Sequence, residues 1–180
     1  MPQGNVRRGA TADVFPGVAS RYERLQIEPV LGPAPARVER GAGLVLLGGV
    51  AGTGKAQPVY RLAIEPALDT NGVNVRDVET AFDDAAKLAV VAGWVRRAEV
   101  IVADVSELNP VILYVLGLCH GLSRCPLLVG RADTELPFDL ASLRYLRYVD
   151  DRNGLLDLRE ELTRAVRVFL SASRVDSDVT

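Results

Sequence analysis

The chain has 180 residues and a net charge of −2, with 48% hydrophobic and 24% charged residues, which fits one globular domain with a sizeable core plus an appendage. It contains no uninterrupted apolar run of about 18 residues, so a membrane-spanning helix is excluded, and a pI of about 5.5 argues against a general nucleic-acid binder. Two cysteines and one histidine make neither a disulfide framework nor a zinc site with two histidine ligands; free thiols, no continuous apolar segment near the start and no metal point to a cytoplasmic protein.

Residues 1–40 read as an N-terminal arm or linker, partly disordered. They hold five of the ten prolines, and Leu31-Gly-Pro-Ala-Pro-Ala36 is a linker by composition. A short helix over 20–26 fits within this arm. Residues 41–171 form the patterned domain, and 172–180 read as a polar tail.

In the patterned part, Leu44–Leu47 is a short apolar run that ends in Gly48-Gly49, a buried strand. Val59–Asp69 follows as a helix, with Pro66 as an internal irregularity and Asn71-Gly72 as its stop. Val73–Val78 is a second strand. Thr80, with Asp83 three residues on, caps the next helix. Phe82, Ala85, Leu88, Ala89, Ala92 and Val95 supply that helix's apolar face, and Arg96-Arg97 suits its negative end. Val100–Val105 is a third strand, apolar except for Asp104. Asn109 and Pro110 open a helix as N-cap and first helical residue, and it runs to about Gly121. Pro126–Val129 is a fourth strand, Leu136–Ser142 a short irregular or helical piece, and Tyr145–Val149 a fifth strand. Asp151–Gly154 reads as a turn. The last helix places Leu155, Leu158, Leu162, Val166 and Phe169 on one face.

Strands without polar alternation, separated by helices, belong to a parallel sheet covered on both faces. The expected fold is therefore α/β, a doubly wound five-stranded parallel sheet in the flavodoxin-like order 2-1-3-4-5.

In such a sheet a ligand lies past the carboxyl ends of the strands where the order reverses, here between the first and third. Gly48 and Gly49 end the first strand and let a ligand approach the backbone. Asp104 and Ser106 end the third, and a carboxylate on an apolar strand needs a partner. The helix opened by Asn109-Pro110 should present free N–H groups to the same crevice. Gly49-Val-Ala-Gly-Thr-Gly54-Lys55 has the spacing of a phosphate-binding P-loop. However, Ala56 stands where that motif needs Ser or Thr, and Gln57-Pro58 delays the helix, so phosphoryl transfer through Lys55 ranks last. Cys119 and His120 are neighbours on a helix, do not face each other, and read as packing residues.

Four places carry a resemblance. They are Val59–Leu68 with Asn71-Gly72; Val100-Ile-Val-Ala-Asp-Val-Ser106 followed by Asn109-Pro110; Tyr114, Leu116-Gly117-Leu118 and His120; and Pro137-Phe-Asp-Leu140 with Leu143, Arg144 and Tyr148. Over roughly residues 43–170 the chain resembles the nucleoside 2-deoxyribosyltransferase-like proteins and the related bacterial Toll/interleukin-1-receptor-like (TIR-like) domains.

The resemblance implies a site for a nucleoside, a nucleotide or an NAD derivative, with no tightly held cofactor. It implies ligand contacts at Gly48, Gly49, Ser106, Asn109 and Tyr114. Such proteins cleave or exchange N-glycosidic bonds through a glutamate that meets the oxocarbenium-like transition state. The matching position here is Val115, and the second Asn of the family's Asn-Pro-Asn is Val111. Val115 cannot act as nucleophile, acid or base. The first expectation is thus a catalytically degenerate nucleotide- or nucleoside-binding domain, a pseudoenzyme. The second is an active N-ribosyl hydrolase or transferase with a relocated carboxylate, Asp104 or Glu107 (or Glu79). The third is an assembly domain that forms a homo-oligomer through the arm and Val111, Ile112 and Val115. The partner in the first two is a small molecule, with neither nucleic acid nor membrane.

Overall fold

The computed structural model describes residues 38–48, 57–78, 85–107, 109–136 and 145–177. Of the two units into which the chain divides, Met1–Pro33 and Ala34–Thr180, the first lies outside the described residues. So do Gly49, the Gly-rich loop with Lys55, the Glu79–Asp83 cap region and the Pro137–Arg144 segment.

Five strands form one all-parallel sheet: β1 (Glu39–Leu46), β2 (Asn74–Val78), β3 (Ala98–Asp104), β4 (Leu127–Arg131) and β5 (Tyr145–Tyr148), in the order β2-β1-β3-β4-β5. Among the described residues three helices connect strands and a fourth follows β5. The first, α1, changes geometry along its length, π-helical over Tyr60–Ile64 and α-helical over Glu65–Thr70. The others are α2 (Ala85–Arg97), α3 (Pro110–Gly121) and α4 (Arg152–Ser177). This is the expected doubly wound arrangement. Among the described residues no helix is long and apolar enough to cross a membrane.

Strand alternation builds two apolar layers. Val45, Leu47, Val100 and Val102 face one side, where α1 and α4 cover them with Ile64, Leu68, Leu158 and Leu162. Leu44, Leu46, Ile101 and Ala103 face the other, against Val91 and Val95 of α2 and Ile112, Val115, Leu116 and Cys119 of α3. All seven residues of β3 are buried, as befits a central strand covered on both faces.

Local chemistry sets the helix ends. Pro66 has no N–H to give the preceding turn, and the helix widens just before it, with the Glu65 N–H reaching the Tyr60 carbonyl. That is the irregularity anticipated there. The α1 stop is a Schellman turn: Gly72 sits at φ +70°, and the Val73 N–H donates to the Leu68 carbonyl at 3.1 Å. The Asn71 amide then ties this corner to the Thr163 carbonyl of α4 at 3.2 Å.

Three boundaries differ from expectation by three residues or more. β1 begins at Glu39, upstream of its apolar run, through an irregularity between Glu39 and Gly43. There Gly41 takes φ +74° and donates its N–H to the buried Glu99 carboxylate at 2.5 Å. The Asp151–Gly154 turn is instead the capped start of α4: Asp151 Oδ1 accepts the Gly154 N–H at 2.8 Å and the Asp151 carbonyl accepts the Leu155 N–H at 3.0 Å. Asp and Asn favour turns and helix caps for the same reason, a side-chain oxygen within reach of nearby N–H groups. Finally, α4 continues to Ser177 through residues expected to form a tail.

Two helical glycines should respond oppositely to alanine. A Cβ on Gly117 meets open space, whereas one on Gly154 would lie 2.3 Å from the Val149 carbonyl oxygen. Gly117→Ala should raise the unfolding free energy by about 0.5–1 kcal/mol. Gly154→Ala should lower it by about 1–3 kcal/mol. Urea denaturation of both variants checks this, and equal stabilisation would contradict the close approach at Gly154.

Candidate functional site

The crevice lies where the sheet order reverses. After β1 the chain crosses to β2 on one side, then returns to β3 on the other, so the chain leaves the carboxyl ends of β1 and β3 in opposite directions along the sheet. A cleft of about 470 Å³ opens there, lined by Gly48, Asp104, Ser106, Glu107 and Asn109. The first turn of α1 adds Gln57, Pro58 and Val59, and the ends of β4 and β5 add Arg131, Tyr148 and Asp150.

Asp104 is 5% exposed, and both its oxygens are engaged. Oδ1 accepts the Ser106 N–H at 2.8 Å, and Oδ2 accepts the Tyr148 hydroxyl at 2.9 Å. The Ser106 Oγ lies 3.1 Å from the Tyr148 hydroxyl and accepts the Arg131 N–H at 2.8 Å. Burial pushes the Asp104 carboxyl above the ordinary aspartate range, against the opposing pull of Ser106, Tyr148 and the Arg131 charge. Burial, and then the Asp104 charge, raise the Tyr148 phenol. The tyrosine therefore stays protonated near neutral pH and keeps its donor role.

Glu107 is exposed and lines the cleft. Its Cβ packs on Gly48, where an added Cβ would sit 2.9 Å away. The role of Gly48 is thus close approach between two loops, and the Gln57 side-chain amide holds its carbonyl. No described residue donates a hydrogen bond to the Glu107 carboxylate. Among the described lining residues Arg131 brings the one positive side chain, 3.4 Å from Asp133, beside the carboxylates of Asp104, Glu107 and Asp150.

The anticipated N–H groups at α3 are largely closed. Pro110 has none, and Asn109 Oδ1 accepts that of Val111 at 2.8 Å. The good N-cap that predicts the helix also uses one of the donors that an anion would need.

Gly48, Asp104, Ser106, Glu107 and Asn109 therefore converge as expected, and Gly49 lies outside the described residues. Tyr114 does not converge: it is 54% exposed and absent from the cleft lining. Ile112, Val115, Leu116 and Cys119 face the sheet, and at 100° per residue Tyr114 falls on the opposite side. Val115 is 1% exposed, within the apolar layer. Burial pushes the Cys119 thiol up to about 11, in keeping with its reading as a packing residue.

The sequence reading did not place Gln57, Arg131, Tyr148 and Asp150 in the site. The signal was present for three of them, since Arg131, Tyr148 and Asp150 close β4 and β5 at the same edge that nominated Asp104. Among the described residues, no three His, Cys, Asp or Glu side chains come together as a metal site. Neither a protein-family model nor a curated protein matches the sequence.

The raised Asp104 value has a signed consequence. A carboxyl harder to ionise in the folded state stabilises the fold at low pH and loses that contribution as pH rises through its folded-state value. Asp104→Asn lacks this titration. Relative to wild type, the variant should therefore gain stability as pH rises from about 3.9 to the Asp104 value and hold the gain above it. Denaturant unfolding across that window checks this; a constant difference between the two proteins would refute it. Tyr148→Phe removes a donor to a buried carboxyl and should cost about 1–3 kcal/mol at neutral pH, read from the same unfolding curves.

Proposed function

We propose that this domain binds a nucleoside, a nucleotide or an NAD derivative through its ribosyl portion and does not cleave the glycosidic bond. The observation that carries the reading is a cleft at the reversal of the sheet, rich in hydrogen-bond acceptors, whose neighbouring helix places Val115 in the core. A volume of about 470 Å³ is in the range of small-ligand pockets. Among the described lining residues, three carboxylates against one guanidinium suit the hydroxyls of a sugar and repel a chain of phosphates, so neutral nucleosides should bind better than triphosphates. The resemblance to the deoxyribosyltransferase-like and TIR-like proteins supports the same ligand class. With Val115 buried, no carboxylate at that position can meet an oxocarbenium-like carbon.

Calorimetric titration with adenosine, AMP, ATP and NAD, alongside chromatography for free base, tests this. Expected are binding of adenosine at millimolar concentration or better, weaker binding of ATP, and no free base. A panel without any binding at millimolar ligand would sink the reading. Val115→Glu should yield no base either, because the new carboxylate enters an apolar layer. It should lower stability by several kcal/mol, by burying an unpaired charge or by forcing its protonation.

One observation favours the second reading, an active N-ribosyl hydrolase. Glu107 is an exposed carboxylate on the cleft, and no described residue holds it, whereas both oxygens of Asp104 are engaged. Base release by the wild-type chain, lost in Glu107→Gln, would establish that reading. The expected assembly contacts fare less well, because Ile112 and Val115 are 3% and 1% exposed and pack inside the domain.

A further inference from the structure

A helix on the surface of a domain keeps its apolar residues on one face and its charges on the other. α4 follows that rule: Leu155, Leu158, Leu162 and Val166 are buried, and Asp157, Glu160, Arg164 and Arg167 are exposed. α3 does not. Pro110–Gly121 contains no Asp, Glu, Lys or Arg, although 24% of the chain is charged. Ile112, Val115, Leu116 and Cys119 already cover the sheet. At 100° per residue Tyr114, Gly117 and Gly121 lie together on the opposite side, and all three are exposed. Val111 and Leu118 flank that line, half-buried. A helix without charge on either face belongs in an interior, so α3 is suited to cover on both sides, by the sheet and from outside.

The relief of the outer face favours a second copy of the same face. Tyr114 projects, 54% exposed, whereas a Cβ on Gly117 or Gly121 would meet nothing within 4 Å. Tyr114 and Gly121 are two turns apart, about 10 Å along one line, with Gly117 between them. A ridge and a hollow so placed are self-complementary. If two copies of α3 pack antiparallel about a two-fold axis between Gly117 and Leu118, each Tyr114 ring falls on Gly121 of the second copy. The backbones can approach at Gly117, which has no side chain to hold them apart. Charge agrees with shape. Two identical chains, each of net charge −2, bring like charges together wherever a two-fold contact is charged, and this face has none to bring. The adjoining helix α2, which touches α3, adds Val90, 49% exposed.

We propose that the outer face of α3, built on Tyr114, Gly117 and Gly121, is a homodimer interface. One helix about 18 Å long with Val90 on its neighbour offers less than the roughly 800 Å² per partner that stable complexes bury. The dimer is therefore weak and forms reversibly as chain concentration rises. The inference is independent of the ribosyl-binding reading of the cleft.

Sedimentation velocity of the full chain, from micromolar to millimolar concentration, tests it. The sedimentation coefficient should climb toward that of a dimer. Gly121→Arg and Tyr114→Arg should each abolish the climb and leave the far-UV circular dichroism unchanged, because either side chain has open space in the single chain. Gly117→Ala should weaken association about fivefold or more while stabilising the single chain, a divergence that a role in folding alone would not produce. In a mixture of ¹³C-labelled and unlabelled chain, intermolecular NOEs should join the Tyr114 ring to Gly121. A chain that stays monomeric at millimolar concentration overturns the proposal and leaves the face to an unlike protein. A dimer that survives both arginine variants overturns it as well, since the contact then lies elsewhere.

Discussion

The contact between the Asp104 carboxylate and the Tyr148 hydroxyl, 2.9 Å long and buried, holds the carboxyl edge of the sheet together. It links the end of the central strand β3 to the end of the edge strand β5, across β4. Without it a carboxyl would stand at the end of an otherwise apolar strand with one oxygen unmatched, at a cost of about 1–3 kcal/mol. With it, Ser106 is drawn into the same cluster, its Oγ receives the Arg131 N–H, and three strand ends share one arrangement. The cleft is therefore shaped by backbone and buried hydrogen bonds, on which the more exposed Glu107 and Asp150 are displayed.

The same arrangement divides labour between two carboxylates. Asp104 is desolvated and matched, which makes it an organiser with a raised ionisation range. Glu107 is exposed and unheld by the described residues, which suits it to direct contact with a ligand. Their positions in the sequence differ by three residues, yet their environments differ in the two respects that govern carboxylate chemistry, hydration and hydrogen-bond partners. The close approach of Gly48 to Glu107 ties the end of β1 to this pair, so the two strands at the sheet reversal meet through a glycine chosen for its lack of a side chain.

Much of this edge was legible from the residues. The unbroken apolar character of Val100–Ala103 announces a strand covered on both faces, and the strand–helix alternation leaves few topologies for a parallel sheet. Asn109-Pro110 marks its helix to the residue, because cap chemistry and the missing N–H of proline act locally. The unread parts depend on distance in space. Tyr148 and Arg131 reach Asp104 and Ser106 only through strand pairings that no local pattern encodes. The early start of β1 rests on a glycine at φ +74° and on Glu99 from another strand, and the start of α4 uses residues whose composition fits a turn equally well. Tyr114 was misplaced because the ligand-facing side of α3 was taken from a motif, whereas the rotation of the helix is set by which apolar residues it buries.

That rotation also bears on the chemistry. Ile112, Val115, Leu116 and Cys119 form the stripe by which α3 packs on the sheet, and burying a valine side chain there contributes about 1.5–3 kcal/mol. A glutamate at position 115 would exchange this contribution for the desolvation of a charge. It could be tolerated only if α3 turned or shifted to carry the carboxylate toward the cleft, and such a rotation would pull the other members of the stripe from their places. Whether position 115 holds a core residue or a reacting group is thus decided by the register of the whole helix. In this chain the register is fixed at one end by the Asn109 cap and along its length by the buried stripe. Both favour packing, and the polar side chains left to the cleft are correspondingly Glu107, Asp150 and the hydrogen-bonded cluster of Asp104, Tyr148 and Ser106.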